Sequence, residues 1–380
     1  MIKFNSVIQT IIFIAFKLPV MYNKAVKFNL LGGNTVIKRI AAAVLTVAMT
    51  AALFTGCSKN FEKVVTVDGM EFTPSMYLCA QYNAYNTAYS ETEAETHEEV
   101  MAAEIEGMSA EEWIHQETIK NLQVYAWTEK TFEEMGLELL AEETDYINQL
   151  VEYYWPYSEE LYKANGIGKE TYTKFNTFSF KYDKIFSTLY SEGGEREVTD
   201  AEYKDYMDSK YARISGFYMP KQNKVGGKLT DDELTAIKDY CAQAVKELND
   251  GAKVEDVSVK YKTMASEYLK LEIDYSDPAN NLFDSFISKD TTAFSAEVAD
   301  KAFAMSNDSE YVFAEMDEDF AVFKRVANFE TDEEFANIKM DLLAEMKSEE
   351  FNAYAEELAA KLATEEDAAA VKFYAVSKIK

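Results

Sequence analysis

The sequence predicts a predominantly helical α+β fold, and two kinds of pattern indicate it. Long stretches carry apolar residues three and four positions apart, which is the spacing of an amphipathic helix. A few short stretches instead alternate apolar and polar residues, as half-buried strands do. The chain has 380 residues, of which 48% are hydrophobic, so it can form two or three domains with sizeable cores.

Residues 36–56 have the pattern of a secretory signal. Lys38 and Arg39 precede the apolar run Ile40 to Phe54, which is shorter than the roughly 20 residues that a membrane span needs. The Cys57 that follows Gly56 resembles the cysteine of a bacterial lipobox. We therefore expect Cys57 to be acylated and to hold the mature chain on the extracytoplasmic face of the membrane. The alternative is an uncleaved anchor in which Cys57 is an ordinary buried cysteine.

Residues 1–35 precede a signal that is already complete. They contain a second apolar stretch, Val7 to Phe16, and a basic segment. We expect this region to be an upstream extension outside the translated protein, with translation starting at Val36. The alternative is a genuine N-terminal transmembrane extension.

Residues 57–195 are predicted to form a helical domain that begins with a short strand, Val64 to Asp68. Thr73 is a typical N-cap residue followed by proline, and Ser109 begins a capping-box pattern. The pattern predicts that a third helix breaks at Pro156. An aromatic-rich helix, Tyr172 to Leu189, ends the domain.

Residues 196–330 are predicted to form a smaller α+β domain after a glycine-containing linker. Thr199 and Thr230 each begin a capping box, and the second helix ends near Gly251. The region from Met264 to Asp290 is acidic and is expected to be irregular. The predicted strands are Ala212 to Met219, Glu310 to Met316 and Phe320 to Val326.

Residues 331–380 are predicted to form a long helix and a final strand. Thr331 begins another capping box, and the helix that follows carries an apolar stripe without a local partner. We expect this stripe to pack on the first domain, since burial of a large apolar side chain stabilises by about 1.5–3 kcal/mol. Val371 to Val376 is predicted as the strand.

The order of these segments resembles that of the exported SurA/PrsA-type foldases. Residues 335–380 are similar to the closing helix and strand of that family. The other matching segments are VVTVDGMEFTPSMY (64–77), ETIKNLQVYAWTEKTFEEMGLEL (117–139), VTDAEYKDYMDSKYARI (198–214), AVKELNDGAKVEDVSVKYK (244–262), FSAEVADKAFAM (294–305) and DFAVFKRV (319–326).

The resemblance implies a helical chaperone domain made of residues 57–195 and 331–380, with a parvulin-like domain, residues 196–330, inserted into it. Members of the family with an active parvulin domain usually have one histidine in the first strand and one in the last. Here Arg213 and Ile214 occupy the first position and Ala321 the second, and no glycine-rich segment can follow Gly251. The resemblance therefore implies a degenerate insert without strong isomerase activity.

We expect a membrane-anchored chaperone or foldase whose partners are unfolded or exported polypeptides. Such a protein needs exposed, adaptable apolar surface, which tyrosine, phenylalanine and methionine supply. An active parvulin-type peptidyl-prolyl isomerase is one alternative, and a solute-binding or adaptor lipoprotein is another. The candidate peptide contacts, which could equally be core residues, are Tyr153, Tyr154, Trp155, Tyr157, Phe175, Phe178 and Phe186.

Composition excludes several other functions. The chain has 38 basic and 67 acidic residues and a net charge of -29, so its surface repels nucleic acid. With two histidines and no ligand spacing of a known type, no metal site, cofactor or catalytic residue is predicted. Cys79 and Cys241 lie in apolar helical surroundings, which favours buried thiols over a disulfide.

Overall fold

The structure is a computed structural model that describes residues 61–223, 227–270, 273–289, 294–307 and 309–380. The predictions made for Cys57, for the signal segment 36–56 and for the extension 1–35 concern residues outside this part of the chain.

The described residues contain eleven α-helices and nine strands. The helices are α1 (Pro74–Glu91), α2 (His97–Ala102), α3 (Ala110–Glu134), α4 (Ala141–Ala164), α5 (Lys169–Tyr190), α6 (Asp200–Lys210), α7 (Asp231–Asn249), α8 (Val254–Leu269), α9 (Ala296–Ala304), α10 (Asp332–Ala359) and α11 (Ala368–Phe373). The strands are β1 (Val65–Val67), β2 (Met70–Phe72), β3 (Glu104–Ile105), β4 (Met108–Ser109), β5 (Tyr211–Pro220), β6 (Phe283–Ser288), β7 (Val312–Glu315), β8 (Asp319–Val326) and β9 (Thr364–Glu366). The predominantly helical α+β class predicted from the sequence is confirmed.

The chain divides into two units, of which the first is not continuous in sequence. The first unit ends at Glu197 and resumes at Lys347–Lys380, and the second is Val198–Met346. The sequence places the second boundary at residue 331, and this is wrong by half of α10. The first half of α10 belongs with the second unit because the Phe335 ring lies 6.1 Å from Tyr203 and 5.1 Å from Phe329.

The first unit contains a three-stranded antiparallel sheet built from both ends of the chain, in the order β2-β1-β9. Val65 pairs with Phe72 on one side and with Glu366 on the other. Asp68 and Gly69 both have positive φ, as a two-residue hairpin turn requires. Thr73 accepts a hydrogen bond from the Met76 N–H, so α1 begins where the sequence predicts.

Aromatic rings dominate the core of the first unit. Tyr125 of α3 lies 5.7 Å from Phe72, 5.3 Å from Phe175 and 5.1 Å from Phe178, measured between ring centroids. Phe351, in the second half of α10, packs on Tyr182 at 4.7 Å. The predicted packing of the C-terminal segment on residues 64–190 is thus observed for the part of it that begins at Lys347.

The second unit is a four-stranded antiparallel sheet in the order β6-β5-β8-β7, with helices on both faces. Phe217 and Phe320 belong to the core that α7 and α8 complete, whereas Ile214 and Ala321 belong to the core that α9 completes. At Gly216 a Cβ atom would lie 1.9 Å from the Val322 carbonyl oxygen, so β5 and β8 can approach only because this residue is glycine.

Three local predictions are wrong. Helix α4 continues through Pro156 to Ala164, because Trp155 is held by Tyr162 and Tyr172 at 5.9 and 5.5 Å. The region 264–290 is not irregular throughout, since α8 extends to Leu269 and β6 pairs with β5.

The third error concerns the end of the chain. The segment predicted as a strand, Val371 to Val376, lies in α11 and the turn after it, and the strand is Thr364–Glu366 instead. Asp367 caps α11 by accepting hydrogen bonds from the N–H groups of Ala369 and Ala370. That cap fixes a helix where apolar alternation alone predicts a strand.

Candidate functional site

A stripe of exposed apolar side chains runs along α4 of the first unit. Tyr153, Tyr157 and Leu161 are four residues apart, so they lie on one face of the helix. The Tyr153 side chain is 62% exposed and that of Tyr157 is 76% exposed. We call these three residues the α4 stripe.

The tyrosines of the α4 stripe contact each other. The ring centroids of Tyr153 and Tyr157 are 5.9 Å apart, and the half-buried Tyr154 lies edge-on to Tyr153 at 4.9 Å. The proximity of Tyr153 raises the pKa of Tyr157, so the Tyr157 phenol keeps its proton at neutral pH. The stripe can therefore offer aromatic area and hydroxyl groups to a bound chain without burying a charge.

The opposite face of α4 explains why the stripe is exposed. Ile147, Val151 and Trp155 are the buried residues of this helix, and they recur at the same four-residue spacing. Because one helical face is used by the core, tyrosines two positions away must point to the solvent. Pro156 also lies on the exposed side.

Four of the seven predicted contact residues do not reach the surface. Trp155, Phe175, Phe178 and Phe186 are all buried in the core of the first unit, so the prediction that they contact a bound polypeptide is wrong. Each is locked between other rings, as Phe186 is against Phe351 at 5.3 Å. The alternative left open by the sequence, that they are core residues, is the correct one for these four.

The first unit also contains a polar network that the sequence analysis missed. The Tyr77 hydroxyl oxygen lies 3.4 Å from His115 Nδ1, and His115 Nε2 lies 3.1 Å from a carboxylate oxygen of Glu366. Burial, followed by the charge of Glu366, raises the pKa of Tyr77 to about 12, so this phenol keeps its proton. The sequence signal for this network is the four-residue spacing of Tyr77 and Gln81, which places both polar side chains on the buried face of α1.

The chain is similar to PrsA foldases and SurA-like chaperones. It is 16% identical to the foldase protein PrsA of Streptococcus pneumoniae, over 72% of this chain and 98% of that chain, with a TM-score of 0.34. It is 12% identical to the PrsA foldase of Lactococcus lactis, over 84% of this chain and 100% of that chain, with a TM-score of 0.33.

The SurA-like chaperone structure reported for PEB4 and Cj1289 of Campylobacter jejuni is 11% identical over 80% of this chain and 99% of that chain, with a TM-score of 0.25. No protein-family model matches the chain, and no curated protein matches it in sequence. The function proposed below therefore rests on the geometry of this chain.

Arg213 stands where the resemblance implies a histidine, and its contacts are those of a structural residue. Its guanidinium group forms two 2.7 Å hydrogen bonds to the carboxylate of Asp284 on β6 and one of 3.2 Å to Glu334 on α10. The hydrogen bonds to Asp284 raise its pKa further. Arg213 thus ties strands and helix together and has no acid–base role at neutral pH.

Ile214 and Ala321, the other two positions of the resemblance, are fully buried on the α9 face of the sheet. Ala321 pairs with Tyr218, whose ring stacks on Phe283 with centroids 4.3 Å apart. Both histidines of the sequence lie in the first unit, so this face has no imidazole. Cys241 is a buried free thiol whose pKa is raised to about 12 by desolvation, and it is not activated as a nucleophile.

The described residues lack two further features that bear on the site. Nowhere in this part of the chain do three or more histidine, cysteine, aspartate or glutamate side chains come together as a metal site would require. No helix in the same residues is long and apolar enough to cross a membrane. Cys79 and Cys241 are both buried and free, as the sequence predicts.

Proposed function

We propose that the protein is a chaperone or foldase that binds unfolded polypeptides on the extracytoplasmic face of the membrane. The α4 stripe is the observation that carries this proposal. A contiguous exposed row of tyrosine and leucine is unusual on a soluble surface and is typical of interaction sites. Tyrosine adds contact area at a low cost in side-chain entropy, and it suits partners of varied sequence.

The second unit of this chaperone is not expected to be a strong isomerase. Rotation about a prolyl bond has a barrier of about 20 kcal/mol, which enzymes lower in a shaped pocket with polarised surroundings. Here Arg213 is engaged by two carboxylates, and Ala321 is buried in the core that contains Ile214 and Val298. A solute-binding role is not favoured either, because the strand pairs of the described residues are antiparallel and not of the alternating α/β type.

The functional prediction is tested by removing the aromatic rings of the stripe. The double variant Tyr153→Ser/Tyr157→Ser should raise the concentration needed to suppress aggregation of an unfolded test protein by about tenfold or more, since one interface tyrosine is worth about 1–2 kcal/mol. The matched control is Tyr275→Ser, which removes an equally exposed tyrosine (63%) from the second unit. Both wild type and variants should score near background in a proline-peptide assay.

Two results would contradict this prediction. If the double variant suppresses aggregation as well as wild type does, the α4 stripe is not the binding surface. If wild type turns over the proline peptide as fast as an active parvulin, and changes in residues 210–326 abolish that turnover, the isomerase alternative is the better account.

Membrane attachment through Cys57 is the second part of the proposal. Its support is the signal pattern that ends in Thr55-Gly56-Cys57. The variant Cys57→Ala should lose incorporation of a fatty-acid probe and either leave the membrane fraction or remain unprocessed. Cys79→Ala, which removes a buried thiol, is the control and should keep the label. Labelling of Cys57→Ala at the wild-type level would refute acylation at this residue.

A further inference from the structure

The asparagine that follows the last residue of α4 holds a backbone segment from the other end of the first unit. Asn165 Nδ2 donates a 3.2 Å hydrogen bond to the backbone oxygen of Lys380, and the Lys380 N–H donates a 2.8 Å hydrogen bond to Asn165 Oδ1. Nδ2 also donates to the Leu161 oxygen at 3.0 Å. These three contacts require the same orientation of the amide, so its donor and its acceptor are both assigned. The two hydrogen bonds to Lys380 therefore recognise its backbone and not its side chain.

Asn165 continues the row of residues that forms the α4 stripe. It follows Leu161 by four residues, as Leu161 follows Tyr157 and Tyr157 follows Tyr153, so all four lie on one ridge of the helix. The distance from Tyr153 to Asn165 along the helix axis is roughly 18 Å at 1.5 Å per residue. An extended chain spans that distance with about five or six residues. A polypeptide that lies along the α4 stripe therefore reaches Asn165.

The residue held by Asn165 lies at the surface. Lys380 is exposed, and it belongs to no helix or strand. The preceding residue, Ile379, is half-buried and packs on the apolar cluster that contains Val376. Because exposed hydrogen bonds exchange readily with those of water, the contact between Asn165 and Lys380 adds little net stability. Lys380 can leave Asn165 while Ile379 stays on the apolar cluster.

A second asparagine shows what the same contact looks like where it is structural. Asn249 Nδ2 donates to the Tyr311 backbone oxygen at 3.0 Å, and the Tyr311 N–H donates to Asn249 Oδ1 at 2.7 Å. Tyr311 is half-buried against the core that α7 and α8 complete, and it directly precedes β7. Its position is thus fixed by the sheet. Lys380 has no strand to fix it, and Asn165 lies beside an exposed aromatic surface.

We propose that Asn165 binds the backbone of a polypeptide lying along the α4 stripe, and that Lys380 occupies Asn165 as an intramolecular competitor. The inference rests on the proposed function, because it adds a backbone-binding residue to the same surface. Recognition of an amide N–H and a carbonyl oxygen accepts a chain of any sequence, as the partners of a chaperone require. The incoming backbone offers the same two groups as Lys380, so the exchange conserves both hydrogen bonds.

Fluorescence anisotropy with labelled α-lactalbumin, kept unfolded by reduction and carboxymethylation, tests the proposal. Deletion of Lys380 frees Asn165 and should tighten binding of this chain by about fivefold. Asn165→Ala removes the donor and the acceptor and should weaken binding by about fivefold. Both variants break the same two hydrogen bonds, so a contact with a purely structural role would change binding in the same direction in both.

Two further variants repeat the test with smaller changes. Lys380→Pro removes the N–H donor in a chain of full length, and Ile379 already has the extended backbone, with φ of −60° and ψ of 139°, that a residue before proline adopts. It should tighten binding as the deletion does. Asn165→Asp keeps the size of the side chain but loses the donor, and it should weaken binding. The matched control is Asn249→Ala, which should bind like wild type. Tryptophan fluorescence during denaturation verifies that each variant is folded.

Equal binding by wild type, Asn165→Ala and the Lys380 deletion would overturn the proposal, as would a change in the same direction in both variants. The Tyr153→Ser/Tyr157→Ser variant separates this proposal from the general function. If it binds the unfolded chain weakly while the variants of Asn165 and Lys380 bind like wild type, the α4 stripe stands and the role of Asn165 is refuted. If neither wild type nor the Lys380 deletion binds the unfolded chain, the proposed function itself is refuted.

Discussion

Asp183 is a carboxylic acid on the packed side of α5. It follows Ser179 by one helical turn and precedes Phe186 by three residues, and both of these are buried. Its Oδ2 atom is buried without a hydrogen-bond partner in the described structure. Desolvation raises the pKa of Asp183 to about 8, so the folded protein holds this group protonated at neutral pH.

This pKa predicts a pH dependence of stability. The unfolded carboxyl has a pKa of about 3.9, so folding takes up a proton between about pH 4 and pH 8. The raised folded pKa means that stability is greatest below pH 4 for this group and falls as the pH rises towards 8. Asp183→Asn, which cannot ionise, should match wild type near pH 4 and exceed it by several kcal/mol in unfolding free energy above pH 8.

Denaturant unfolding at a series of pH values measures this effect. All three tryptophans, Trp113, Trp127 and Trp155, lie in the first unit, so their fluorescence follows the unit that contains Asp183. Asp145→Asn, at an exposed position of α4, serves as the control and should change the pH profile little. A wild-type stability that is flat between pH 4 and pH 8 would show that Asp183 is not buried as described.

At the scale of elements, α10 is the clearest case of a helix whose halves serve different units. Its second half places Phe351 among Trp127, Tyr182, Phe186 and Tyr190, with centroid distances from 4.7 to 6.2 Å. The Glu350 carboxylate next to it accepts hydrogen bonds from Tyr190 and Arg196. The sequence shows the apolar stripe of this helix but not which partner each half meets.

Phe351→Ala should lower the unfolding free energy of the first unit by about 3–5 kcal/mol, because the ring leaves a cavity among aromatic neighbours. Tryptophan fluorescence during denaturation measures this loss. Met340→Ala, on the first half of the same helix and 38% exposed, is the control and should leave the fluorescence transition close to that of wild type. Equal midpoints for wild type and Phe351→Ala would mean that the second half of α10 does not stabilise the first unit.

The predicted elements succeed where local chemistry fixes them. Thr199 and Thr230 form reciprocal capping boxes with Glu202 and Glu233, as the sequence pattern predicts, since both partners are three residues apart. The hairpin of β7 and β8 is also observed, with Ala314 opposite Ala321. The predicted helix break at Pro156 is wrong because packing offsets the free-energy cost of a proline inside a helix, and the sequence does not show that packing.

At the scale of the whole molecule, the antiparallel pairing of β9 with β1 joins the two ends of the chain. Asp367 N–H donates to the Val64 oxygen at 2.9 Å across about three hundred residues of intervening chain. The second unit has its own sheet and its own two cores, and this allows it to be inserted between the two segments of the first unit. The α4 stripe belongs to the first unit, so client binding is expected to be concentrated there.

Sequence alone determined the starts of the capped helices α1, α3, α6 and α7, the class of fold and the absence of histidine from the second unit. Helix starts and fold class follow from capping chemistry and from the spacing of apolar residues, which involve near neighbours in the chain. The absence of histidine follows directly from composition. Only the tertiary structure decided which aromatic residues are exposed. Tyr157 lies on the exposed face of α4 and Phe186 on the buried face of α5, and the sequence pattern does not distinguish the two cases. It also brought Gln81 to Tyr374 and His115 to Glu366, since such pairs form through the packing of segments that are far apart in the chain.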